Sequence, residues 1–122
     1  MKRTILLLIS ITLLAPFSSK AESEDCEYAR SDAESTAYDL ERRAKILKYC
    51  ASDEGFDDLE YRANKLKRCA SYSDFSDDCY SEFKKVKFAQ WDAEVCDFEY
   101  IKVKSAFSDY ESAVSNVSYE CD

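Results

Sequence analysis

The sequence predicts an all-α fold: an elongated antiparallel helical hairpin, two shorter helices against one long helix, stapled by nested disulfides. Three observations predict it. Beyond residue 21 the chain has one glycine, Gly55, no proline and no strand-like alternation. The positions Val86, Ala89, Ala93, Cys96, Tyr100, Val103, Phe107, Tyr110, Val114, Val117 and Cys121 recur in steps of three and four, which keeps one apolar stripe on one helix face. The six cysteines also nest: Cys26 with Cys121, Cys50 with Cys96 and Cys69 with Cys79 have position numbers adding to 147, 146 and 148. A near-constant sum is what an antiparallel pair requires of its cross-strand partners, although six cysteines allow 15 pairings on paper.

The elements follow in order. Lys2 and Arg3 precede the apolar run 5–15, and Ser19-Lys20-Ala21 closes the segment, the three parts of a secretory signal peptide over 1–21. A single disulfide-stapled domain, 22–122, is expected after it. Removing the leader takes away three cations and no acid, so the formal charge moves from −8 to −11. An even cysteine count in an exported chain reads as a disulfide framework, and the expected location is periplasmic or extracellular.

Helix 1 is expected to start at the N-cap Ser23, with Glu24, Asp25 and Glu27 in its first turn. Its stripe is Cys26, Ala29, Ala33, Thr36, Leu40, Ala44, Leu47 and Cys50, with Lys45 and Lys48 towards the C-terminus. Gly55 marks a break over 52–56. Asp57 and Glu60 have the spacing of a capping box opening helix 2, whose stripe is Leu59, Ala63, Leu66 and Cys69 or Ala70. A turn is expected over 71–74. Asp74, Asp77 and Asp78 then crowd the start of the long helix. Residues 39–56 repeat as 58–75, with 11 of 18 positions identical. An offset of 19 turns a continuous helix about 100° past whole turns, so the repeat also places a break near Gly55.

The same cysteine pairing fits two shapes. Helices 1 and 2 end to end against one helix of about 45 residues make a rod of roughly 70 Å. A bend near residues 92–96 closes a compact four-helix up-down bundle instead. The uninterrupted stripe favours the rod and its coiled-coil packing.

Composition excludes several functions. There is no histidine, which removes the commonest general base and transition-metal ligand. No glycine-rich phosphate loop or Cys–His pair occurs, and Asp53-Glu54-Gly55-Phe56-Asp57 lacks the order of a calcium loop. No cofactor or metal and no enzymatic activity are expected. The acidic balance argues against nucleic acid, and no stretch of the mature chain is apolar enough to span a membrane.

The charges fall in bands. Segments 49–61 and 88–101, which face each other in the nested register, hold no Lys or Arg. Their acids and rings nominate a partner surface: Asp53, Glu54, Phe56, Asp57, Asp58, Glu60, Tyr61, Trp91, Asp92 and Glu94. Carboxylates steer a basic protein and aromatic rings anchor it. The plainer reading is a solvated acidic face beside core aromatics. Tyr28, Tyr38, Phe83, Phe88 and Trp91 lie off the stripe and need cover, which a partner or self-association would give. The expectation is thus an exported, non-enzymatic module for a cationic protein, of inhibitor or immunity type. The alternative is a structural, self-associating envelope protein.

Overall fold

The computed structural model describes residues 23–71 and 79–121, so the expected leader, most of the turn expected over 71–74, and Asp74, Asp77 and Asp78 lie outside the described residues. Four helices and no strand occur among them: α1 (Glu24–Asp53), α2 (Asp57–Ala70), α3 (Tyr80–Ala93) and α4 (Asp97–Glu120).

Ser23 caps α1, its Oγ accepting from the Cys26 amide at 3.1 Å, with Glu24, Asp25 and Glu27 in the first turn. Ala29, Ala33, Ala37, Leu40, Ala44, Leu47 and Ala51 are buried along one face. Ala37 takes the place expected for Thr36, because the Thr36 hydroxyl donates to the carbonyls of Asp32 and Ala33 on its own helix. Lys45 and Lys48 stand inside α1, which runs on to Asp53 with no basic residue in its last turn.

The break at Gly55 is a Schellman closure. The Phe56 amide donates to the Ala51 carbonyl and the Gly55 amide to Ser52, with Gly55 at φ 76°. Asp57 does not cap α2. The residue before the helix is Phe56, with no side-chain cap bond, because the closure carries the chain straight into the first turn and leaves Asp57, Asp58 and Glu60 there as dipole-compensating acids.

All three expected disulfides are present, with Cα–Cα distances of 4.9 Å for Cys26–Cys121, 6.0 Å for Cys50–Cys96 and 5.9 Å for Cys69–Cys79. The antiparallel pairing, α1 with α4 and α2 with α3, follows from them.

The expected long helix is divided. α3 ends at Ala93, and Glu94 and Cys96 adopt left-handed backbone, φ 56° and 65°. Non-glycine residues there cost about 1–2 kcal/mol each. Side-chain contacts across the break hold it. Phe83 on α3 stacks on Phe107 on α4 with ring centroids 4.2 Å apart, and also on Tyr100 at 6.4 Å. The Cys79 sulfur lies 3.6 Å from the Tyr110 hydroxyl, and the Gln90 amide donates to Asp97. On a straight helix Phe83 and Phe107 would stand about 36 Å apart. The hairpin therefore keeps its disulfide register while the chain doubles back at residues 94–96, beside the Cys50–Cys96 bond, and brings the Phe83 and Phe107 rings together.

Helix lengths set the outline. At 1.5 Å per residue α1 and α4 run about 45 and 36 Å, and α2 and α3 about 21 Å. The short pair covers only the folded half. The other half is a two-helix stalk closed by Cys26–Cys121. Leu40, Leu47, Leu59, Leu66, Val86, Val103 and Tyr110 fill the core, and alanines at the contacts let the helices approach closely.

Candidate functional site

Folding the hairpin in half gathers the cation-free segments 49–61 and 88–101 at one end of the molecule. Nine acids stand there: Asp53, Glu54, Asp57, Asp58, Glu60, Asp92, Glu94, Asp97 and Glu99. Glu60 and Glu99 are half-buried and the other seven are exposed.

Helix electrostatics sorts these acids. Asp57, Asp58 and Glu60 open α2, and Asp97 and Glu99 open α4, where the positive end of the dipole favours them. Those five stabilise the fold. Asp53 and Glu54 instead end α1, and Asp92 and Glu94 end α3, where the dipole favours cations and neither last turn has one. Each of these four opposes its helix by about 0.3–1 kcal/mol. Helix stability does not account for them.

A shallow depression of about 300 Å³ opens between the start of α2 and the end of α3. Its lining joins Phe56, Asp57, Asp58 and Asp92, all nominated from sequence, with Gly55, Leu59, Ala89 and Ala93. An apolar floor under three carboxylates suits the methylene stem and charged head of a lysine or arginine. The sequence reading missed the floor because Leu59, Ala89 and Ala93 read as stripe residues.

The rest of the nominated set lies around this depression rather than in it. Asp53, Glu54 and Glu94 occupy the two folds. Trp91 is 61% exposed, with its edge against Phe88. Tyr61 is 53% exposed and carries Arg62 and Lys65 over its ring. Of the rings that needed cover, Phe83 finds it on Phe107, whereas Tyr28, Tyr38, Phe88 and Trp91 remain exposed. Burial raises the Tyr100 phenol above 10.0. No helix is long and apolar enough to cross a membrane among the described residues.

The chain matches no family model, no curated protein and no solved structure.

Proposed function

We propose that this is an exported, non-enzymatic binding protein whose acidic end engages a basic protein, as an inhibitor or immunity-type partner does. The observation that carries the reading is the set Asp53, Glu54, Asp92 and Glu94, exposed acids at helix C-termini that work against the fold. Around them stand more carboxylates, no lysine or arginine within 49–61 and 88–101, and the exposed rings of Tyr61 and Trp91. Charge of one sign accelerates encounter and the rings supply the anchor. Three disulfides suit an oxidising, exported setting. An acid–base enzyme would need a desolvating cleft, and this depression is open.

The test uses those same four residues. Reversing Asp53, Glu54, Asp92 and Glu94 to lysine suits the helix dipoles, so the variant keeps its fold while the surface changes sign. The oxidised protein is immobilised against an envelope extract and the retained chains are identified by mass. One basic protein held by the native form and lost by the variant supports the proposal. Retention of the chain itself alone supports the self-associating structural reading, which the exposed Phe88–Trp91 and Phe98 rings favour.

A further inference from the structure

Folding in half also gathers the cations, and it does so by mirror placement. About Gly55, Lys48 mirrors Arg62, Lys45 mirrors Lys65, Arg43 mirrors Lys67 and Arg42 mirrors Arg68. About the second fold, Lys87 mirrors Lys102 and Lys85 mirrors Lys104, with Lys84 beside them. Residues equally far from a fold stand at equal height on adjacent antiparallel helices. Thirteen cations from all four helices thus form one belt about 10 Å deep, just below the acidic end. The segments 42–48, 62–68, 84–87 and 102–104 hold no acid.

The exposed rings at the top of the belt obey the same mirrors: Tyr49 with Tyr61 and Trp91 with Phe98. Each carries a cation over its face. Lys48 lies 5.9 Å from Tyr49, Arg62 and Lys65 5.4 and 5.5 Å from Tyr61, Lys87 5.5 Å from Trp91 and Lys102 4.2 Å from Phe98. Every helix contributes one ring–cation unit. Ion pairing uses few of these charges: Arg42, Arg43, Arg62 and Lys85 pair with nearby acids, and the other nine make no ion pair among the described residues.

We propose that this collar binds a flexible anionic polysaccharide, one bearing uronate or sulfate groups. The proposal goes beyond the acidic end, shares with it only the rings of Tyr61 and Trp91, and does not depend on its partner. An exposed ring beside a lysine or arginine offers one sugar residue both surfaces it presents, an apolar C–H face for the ring and an acid group for the cation. A flat anionic membrane or a rigid duplex is disfavoured by the acids on both sides of the belt. Above it lies the acidic end. Below it, 23–41 holds Arg30 as its one cation and 105–121 holds none. Both zones lie within about a Debye length of a flat surface resting on the belt, whereas a thread fits the band.

The oxidised mature protein is titrated with heparin and with polygalacturonate, against neutral dextran, polyglutamate and oligothymidylate. Binding of either anionic glycan, weakening as salt rises, is expected. Lys48→Gln, Lys65→Gln, Lys87→Gln and Lys102→Gln together should weaken it at least about tenfold. Trp91→Ala with Phe98→Ala should weaken glycan binding more than any residual polyglutamate binding, with melting curves confirming that each variant folds. The four-lysine reversal at the acidic end should keep or strengthen glycan binding, which separates this collar from the protein site. No glycan binding at about 50 mM salt overturns the proposal. So does dextran, polyglutamate or oligothymidylate binding as tightly as the glycans, or loss of glycan binding in that acidic-end variant.

Discussion

Glu94 shows at residue scale how stability and surface conflict. It combines a left-handed backbone with a carboxylate at a helix C-terminus. Glu94→Gly removes both penalties and adds chain entropy to the unfolded state, so a net gain of about 1 kcal/mol is expected in denaturant unfolding. Gly55, also left-handed, has no atom within 4 Å of an added Cβ, so Gly55→Ala loses stability through backbone strain alone. Tyr100 contributes to the loss of stability at alkaline pH. Its phenol is raised above 10.0 by burial, so its contribution is complete below pH 10.0 and is lost as pH climbs through the folded value. Tyr100→Phe should flatten the loss of stability above pH 10.0, read by rapid urea unfolding across pH. The Ser23 cap and the Gly55 break were legible from residue type. Glu94 and Cys96 were not, because nothing about a glutamate or a cysteine announces a left-handed backbone.

At the scale of elements, the three-four stripe named the buried face and missed the fold in it. Val86, Val103, Phe107, Tyr110, Val114 and Val117 are buried as the stripe requires. A stripe shared by two helices packed against each other reads the same as one along a continuous helix. The contacts that distinguish them, Phe83 on Phe107 above all, join residues 24 positions apart, beyond the reach of local periodicity. Small-angle scattering of the oxidised chain spanning residues 22–122 checks the folding back of α3. A radius of gyration near 15 Å is expected, against about 20 Å for an extended rod of roughly 70 Å. Removing the ring tests its part in the fold: Phe83→Ala should cost about 3 kcal/mol if it packs as a core aromatic does.

For the whole molecule, the charge pattern is the part of the site that was only half legible. Banding was visible in sequence, and the acidic segments do come together. The mirror placement of cations about Gly55 was equally present in the sequence, but it acquires meaning only once α2 is known to lie alongside α1. The covalent frame ranks differently from the packing. In the chain-entropy account, losing Cys26–Cys121 should cost about 4.7 kcal/mol and losing Cys69–Cys79 about 2.5–3, because the first closes a span of 95 residues and the second one of 10. Paired serine substitutions compared by urea midpoints check that order.

Nesting has a consequence for biogenesis. On any chain that emerges N-terminus first the cysteines appear in order, and an oxidase that joins each to its predecessor would make Cys26–Cys50 first. Cys69–Cys79 is the one native bond between consecutive cysteines, and Cys26 must wait for the last to emerge. Correct maturation is therefore last in, first joined: either the helices assemble before oxidation, or a disulfide isomerase corrects the early pairs.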